Sequence, residues 1–361
     1  MTYAFAAAGT GGHVYPALAV ADALREAGVA RDQIVFVGGK RLAATAVPAA
    51  GYDYLEVEMR GLKRSIARDN LSLPSVVWRA SKRIQQEFEQ RSVDVAIAFG
   101  GYIAVPTAWA AGRVGAKLFV HEQNAVPGLA NRLISRRAVA SFIAFPEAAE
   151  QLSRAQLVGN PLRPALATYD RKALHEAALE RFGLSGERPV LGVLGGSLGA
   201  KVLNDAVERL ADGHDERAIS ILHLTGHAHF EAVSAIAQGS AQEWKVLAFE
   251  DNMEYFYAAS DVVLSRAGAL TVSELAATGT PAVVVPYAAG AAGHQAANAA
   301  HLAAAGGAEV VDEQDVDRLP AVLEQLIADR DRRETMATIA ARMGRPEAAQ
   351  QIAKALIEAS S

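Results

Sequence analysis

Between Ser265 and Glu274 the chain reads Ser-Arg-Ala-Gly-Ala-Leu-Thr-Val-Ser-Glu. The apolar stretch 261–264 before it and the helical pattern running on to residue 278 predict a buried parallel strand, a glycine turn and a helix. Such a turn aims a helix N-terminus at whatever lies above the sheet. Backbone N–H groups and the positive end of the helix dipole suit that spot to a phosphate, and Gly268 lets the ligand approach closely. One turn further on, Glu274 could accept two hydrogen bonds from a ribose diol. The same letters also fit a capping box, Thr271-x-x-Glu274, in which the carboxylate serves only the helix itself.

Further loops of this kind follow other apolar runs. Gly9-Thr-Gly-Gly-His13 is a candidate anion cradle, but it is not the dinucleotide fingerprint: the third glycine would fall at Val14. His13 could serve as a general base near neutral pH, or could cap the helix that follows. Gly195-Gly-Ser-Leu-Gly-Ala200 repeats the arrangement, with Ser197 either donating to a phosphate oxygen or acting as an N-cap. Gly100-Gly-Tyr102 and His121-Glu-Gln-Asn124 end two further apolar runs, and Gln295 and Asn298 follow another. The histidines at 223, 227 and 229 straddle a strand end and a glycine, a poor arrangement for zinc.

The elements that must position these groups alternate along the chain. Apolar runs at 3–8, 34–37, 94–98 and 117–120 predict one parallel sheet, with a helix over 16–27. Runs at 190–194, 220–224, 245–248, 261–264, 282–286 and 309–311 predict a second. The two prolines in Val158-Gly-Asn-Pro-Leu-Arg-Pro164 mark a boundary between them. The expected fold is therefore α/β, two doubly wound domains, 1–163 and 164–344, facing across a cleft, with 345–361 returning to the first. In such sheets ligands bind beyond the carboxyl ends of the strands.

Composition narrows the class. At 361 residues, 51% hydrophobic and 21% charged, the chain has the make-up of an ordinary globular protein rather than a disordered one. With no cysteine it holds no disulfide, thiolate metal site or cysteine nucleophile. Neither a signal peptide nor a membrane-spanning run is legible, which predicts a cytoplasmic protein. The net charge of −5 is unevenly spread: residues 60–83 hold seven basic side chains, Arg60, Lys63, Arg64 and Arg79 among them, against one acid. Trp78, Leu62, Ile66 and other apolar residues are interleaved with them. That pattern suits an anionic membrane surface, and equally an amphipathic helix with a solvated basic face.

Taken in order, Gly9-Thr-Gly-Gly-His13, Gly100-Gly-Tyr102, His121-Glu-Gln-Asn124, Gly159-Asn-Pro161 with Arg163, Gly195-Gly-Ser-x-Gly-Ala200 and Ser265-Arg-x-Gly-Ala-Leu-Thr-Val-Ser-Glu274 resemble the MurG family of bacterial N-acetylglucosaminyltransferases, over nearly the whole chain. The resemblance implies a GT-B fold and inverting transfer of N-acetylglucosamine from UDP-N-acetylglucosamine to the C4 hydroxyl of lipid I, in peptidoglycan synthesis, with no cofactor or metal required. It implies His13 as the base, with Thr10, Gly11 and Gly12 lining the cleft. Asn124 and Gln295 would contact the sugar, Arg163 and Ser197 the diphosphate, and the backbone near Phe249 and Glu250 the uracil. Ala269, Leu270, Thr271, Val272, Ser273 and Glu274 would bind sugar, phosphate and ribose in turn. Gly100, Gly101, Tyr102, His121 and Glu122 would lie on the acceptor side. Arg60, Lys63, Arg64, Trp78, Arg79 and Lys82 would meet the cytoplasmic face of the cell membrane. The expected partners are lipid I, that anionic surface and other proteins of cell-wall synthesis, not nucleic acid.

The pattern departs from the family's at Ala43, commonly glutamate, and at the alanine-rich stretch 288–293. Two rival readings are another GT-B enzyme, such as a UDP-N-acetylglucosamine 2-epimerase or a transferase with a soluble acceptor, and an inactive nucleotide-sugar sensor. The basic window argues against the first and the retained His13 and Glu274 against the second.

Overall fold

The computed structural model describes residues 1–59, 73–196, 199–213, 219–288 and 293–360. The chain divides into two compact units, Met1–Arg163 with Pro346–Ser361, and Pro164–Arg345.

The first unit is built on seven parallel strands: β1 (Thr2–Ala6), β2 (Ile34–Gly38), β3 (Asp53–Glu56), β4 (Val93–Ala98), β5 (Lys117–Glu122), β6 (Ala140–Ile143) and β7 (Ala155–Leu157), in spatial order 3-2-1-4-5-6-7. Its helices are α1 (Gly11–Glu26), α2 (Ala43–Ala49), α3 (Leu73–Arg91), α4 (Ala104–Val114) and α5 (Leu129–Ser135), joined by the C-terminal helix Ala348–Ser360. The period-2 alternation of the strands divides the core in two. Phe5, Phe36, Ile97 and Phe119 pack against Val20 and Leu24 of α1 and against Ile352 and Leu356 of the C-terminal helix. Their neighbours Ala4, Ala6, Val35 and Ala96 pack against Ile84 and Phe88 of α3 and Ala108 of α4. The chain end is fastened as well, Tyr3 and Ser360 sharing a hydroxyl hydrogen bond at 2.9 Å.

The second unit has six parallel strands: β8 (Val190–Leu194), β9 (Ser220–Leu224), β10 (Glu243–Leu247), β11 (Val262–Ser265), β12 (Ala282–Val284) and β13 (Ala308–Val310), in order 10-9-8-11-12-13. Its helices are α6 (Pro164–Ala167), α7 (Arg171–Phe182), α8 (Lys201–Gly213), α9 (Phe230–Gly239), α10 (Met253–Ala259), α11 (Ala269–Thr278), α12 (His294–Ala304), α13 (Leu319–Ala328) and α14 (Arg330–Met343); the C-terminal helix is α15. One face of the sheet is covered by Leu203 and Val207 of α8 and by Leu323 and Leu326 of α13. On the other, Gly192 lets α10 come close: a Cβ there would meet the Phe256 ring at 2.9 Å. Both sheets thus reverse direction of winding at their first strand, the place where doubly wound folds bind ligands.

Two expectations are corrected. The helix predicted over 16–27 begins at Gly11, so Gly11-Gly-His13 is its first turn and not a loop; Pro16, which has no N–H to give the Gly12 carbonyl, sits inside it. The sequence reading also passed over β3, β6 and β7, short strands of which β3 and β7 are edges with little burial.

Candidate active site

In the first unit the carboxyl ends of β1, β4 and β5 bring His13, Gly100 and Glu122 together. Gly9 has φ +102 and Gly100 φ +98, conformations that favour glycine. The His13 ring lies between them, for a Cβ on Gly9 would stand 3.8 Å from its Nδ1 and one on Gly100 3.2 Å from its Nε2. Burial lowers the His13 pKa below the ordinary value of 6.5, and the Glu122 carboxylate pulls part of that shift back. The imidazole is therefore neutral at neutral pH. Its Nδ1 is buried with no partner among the described residues.

Glu122 is 2% exposed and accepts four hydrogen bonds, from the Asn124 N–H (3.0 Å) and side-chain amide (3.2 Å), the Gly128 N–H (3.0 Å) and the Asn131 amide (2.9 Å). It pins the loop that carries Asn124. His121 is fully buried. Its Nε2 must donate to the Gly159 carbonyl at 3.0 Å, which leaves Nδ1 to accept from the Gln123 amide at 2.9 Å. Burial depresses its pKa to about 4. His121 and Glu122, expected on the acceptor side, are both buried and engaged in internal bonds beside His13. Gly101, φ +73, rests on the Ala8 carbonyl, and the Tyr102 hydroxyl reaches over Gly39. Thr10 is the N-cap residue of α1, though its side chain makes no capping bond. The guanidinium of Arg163 lies 4.9 Å from the Tyr15 ring centre, on α1.

In the second unit, Gly195 closes the loop after β8 so tightly that a Cβ would stand 2.4 Å from the Ala200 N; Gly199, φ +74, rests on the Thr225 carbonyl. Ser197 lies outside the described residues. Beyond β11, α11 starts at Ala269 with Gly268 as its N-cap, and its first helical bond is Val272 N–H to Gly268 carbonyl at 2.9 Å. Ala269, Leu270 and Thr271 thus form the first turn, at the dipole's positive end. Glu274 is the sixth helical residue, too far along for a capping box, so that alternative falls. Its Oε2 accepts instead from the Tyr257 hydroxyl on α10 at 2.8 Å, while Thr278 bonds its carbonyl. Val272 is buried and Ser273 partly exposed.

Two clasps hold the neighbouring loops. Arg266 donates to Glu313 (2.7 Å) and to the Val285 carbonyl (3.2 Å), and lies over the Tyr287 ring. Burial would raise the Glu313 pKa, but the Ala288 N–H and Arg266 outweigh it and hold the carboxyl low. The Tyr287 N–H donates to Gln295 Oε1 at 2.8 Å. Beyond β10, Phe249 is 42% exposed and stacks on His227, with ring centres 6.3 Å apart, while the Glu250 side chain turns inward to Arg181. Sequence reasoning missed Tyr257, Arg181, Glu313 and Asn131, and assigned Arg266 no role; only Arg266, inside a motif, carried a signal.

The three histidines of the discounted zinc site diverge. His223 is fully buried and bonds Asn204 at 3.0 Å, whereas His227 lies out on Phe249. Two Asp-x-Asp triplets in the second unit are otherwise engaged, Asp317 by Arg209 and Asp329 as the cap of α14. Among the described residues no group of three or more acidic or histidine side chains could hold a metal ion. A cavity of about 390 Å³ lies at the amino ends of β8 and β11, beside Arg171 and Arg330. Both guanidiniums are paired there, with Asp261 and Glu334, and it sits at the end of the sheet opposite the glycine loops.

On the membrane question, Trp78 is 57% exposed on α3, beside exposed Arg79 and Lys82. Lys82 and Arg113 both lie over the Trp109 ring of α4, and α5 exposes Leu129 and Leu133 near Arg132 and Arg136. Arg60, Lys63 and Arg64 lie outside the described residues. Among those described, no helix is long and apolar enough to cross a membrane.

Comparison with known proteins gives this arrangement a family. The glycosyltransferase family 28 N-terminal domain matches residues 3–143 and the family 28 C-terminal domain residues 190–352. A UDP-N-acetylglucosamine--N-acetylmuramyl-(pentapeptide) pyrophosphoryl-undecaprenol N-acetylglucosamine transferase of Salinibacter ruber is 41% identical, covering 96% of this chain and 93% of its own. One of the same name from Clavibacter sepedonicus is 40% identical over 97% and 94%. Among solved structures, MurG of Acinetobacter baumannii superposes with a TM-score of 0.78 at 28% identity, covering 99% of this chain and all of its own. The UDP-GlcNAc 2-epimerase of Neisseria meningitidis, at TM-score 0.68 and 14% identity over 99% and 100%, shares the fold alone. The chain belongs to glycosyltransferase family 28, within its MurG group of N-acetylglucosamine transferases.

Proposed function

We propose that this protein transfers N-acetylglucosamine from UDP-N-acetylglucosamine to the C4 hydroxyl of the N-acetylmuramyl unit of lipid I, with inversion. The observation that carries the reading is the near-full-length identity of 41% and 40% to relatives named for that reaction. The geometry supplies parts the chemistry needs. Neutral His13 takes the proton from the acceptor hydroxyl; its oxygen forms a bond to the sugar's anomeric carbon as the bond from that carbon to the diphosphate oxygen breaks, and UDP leaves with the electron pair. The N-terminus of α11 stabilises the charge that builds on the diphosphate, and Glu274 takes the ribose diol. With its oxygen taken by the Tyr287 N–H, Gln295 offers an amide N–H to the donor sugar's hydroxyls, and Glu122 holds the loop of Asn124.

The second unit thus serves as the donor domain and the first, with its returning C-terminal helix, as the acceptor domain. The face carrying Trp78, Arg79 and Lys82 seats it peripherally on the cytoplasmic side of an anionic membrane, where a lipid-linked acceptor resides. The test is acceptor choice: lipid I analogue against the same muramyl pentapeptide without its lipid pyrophosphate, with the new linkage read by NMR. A β-linked disaccharide formed on the lipid-linked acceptor is expected. A preference for the soluble acceptor, or an α-linkage, would overturn the reading.

A further inference from the structure

We infer that Arg181 is a positioning residue for the nucleobase end of the donor site, acting through Glu250. The inference rests on the reading that the turn after β10 meets the uracil. That turn is fastened from two sides. From the two residues after β9, the Thr225 and Gly226 N–H groups donate to the carbonyls of Leu247 and Ala248 at 3.0 and 3.1 Å. From α7, the Arg181 guanidinium spans both carboxylate oxygens of Glu250, with Nη2 at 3.0 and 3.2 Å and Nε at 3.3 Å.

Glu250 Oε1 also accepts from the Asn252 N–H at 2.8 Å, so one carboxylate closes the turn and ties it to the helix. The Glu250 side chain is 9% exposed, and leaving such a charge unpaired is costly. Arg181 is itself held, 5.2 Å from the Tyr255 ring centre on α10, in the last turn of a helix that ends at Gly183 in the left-handed conformation. With the Glu250 side chain turned inward, the backbone of the turn and the Phe249 ring are what remain to meet a base. Backbone recognition of a pyrimidine edge depends on the placing of one N–H and one carbonyl to within a few tenths of an ångström. Arg181 fixes that placing without touching the base.

The test measures UDP affinity by calorimetry, the KM and kcat for UDP-N-acetylglucosamine, and inhibition by UDP, CDP and pyrophosphate. For Arg181→Ala the expectation is a rise of about tenfold in the UDP dissociation constant and in KM, an order set by the loss of a charged hydrogen-bonded pair, with kcat within about twofold. Discrimination between UDP and CDP should shrink, while pyrophosphate inhibits as before. Arg181→Lys, a single point charge unable to span both oxygens, should fall between. Glu250→Gln keeps an acceptor for the Asn252 N–H and gives a milder loss, and combining it with Arg181→Ala should add little. These two milder variants carry the test should the alanine variant fail to fold.

Unchanged UDP affinity in Arg181→Lys and Arg181→Ala, or equal losses for UDP and pyrophosphate, would overturn the inference. A wild-type protein that does not bind UDP would instead overturn the donor-site reading beneath it.

Discussion

The Tyr257 hydroxyl on α10 donates to the Glu274 carboxylate on α11 across 2.8 Å. Tyr257 is fully buried, so it holds Glu274 from below and fixes the direction in which the other carboxylate oxygen points. Tyr257→Phe should therefore weaken UDP binding about fivefold, the net worth of one ordinary hydrogen bond, and Glu274→Ala by more than tenfold. Calorimetry with UDP checks both. Unchanged affinity in both variants would make the pair a helix-to-helix tie and nothing more.

His13 as the base makes a prediction about pH. Because burial lowers its pKa, kcat should stay high through neutral pH and fall on an acid limb whose midpoint lies below 6.5. Glu122→Gln removes the charge that opposes the shift, so the limb should move to lower pH still. His13→Ala should cost about 10²–10⁴ in kcat and leave UDP affinity within twofold. A limb unmoved in Glu122→Gln, or equal losses of turnover and UDP binding in His13→Ala, would remove His13 from the role.

Two other histidines tie stability to pH. His121 and His223 are buried neutral, with pKa values pushed down to about 4 and about 3, against about 6.5 in the unfolded chain. Below pH 6.5 the unfolded state binds the extra protons, so stability is lost as pH falls toward 4, by about 2 kcal/mol for each at pH 5. Melting temperatures between pH 8 and 5 check this, and a flat profile would contradict it.

The exposed face of α3 and α4 predicts binding to anionic vesicles that weakens with salt. Replacing Trp78, Arg79 and Lys82 together by serine should reduce it at least tenfold, each cation near the surface being worth about 1 kcal/mol. Vesicle sedimentation at low and high salt measures this. Equal binding to neutral vesicles would assign the face another role.

What the sequence made legible follows from how parallel sheets are built. Strands such as Val190–Leu194 are buried on both faces and read as apolar runs, and the glycines after them mark where a backbone must turn tightly. Edge strands carry no such run: Asp53–Glu56 and Ala155–Leu157 are short and partly polar. The first turn of α1 was hidden because two glycines and a proline read as loop. In the site, motif residues are found by their letters, but their partners are not. Arg181 and Glu250 stand 69 residues apart, Arg266 and Glu313 47, and nothing local to either residue announces the pair. His121 and Glu122 illustrate the converse, since polar residues at a strand end read alike whether they are exposed or, as here, buried in internal bonds.

The most direct measurement is transfer of radiolabelled N-acetylglucosamine from its UDP donor to a lipid I analogue, beside a control without acceptor. The account predicts labelled lipid-linked product and released UDP only when acceptor is present. UDP bound tightly with no lipid-linked product, or donor converted to its 2-epimer in the control, would contradict it.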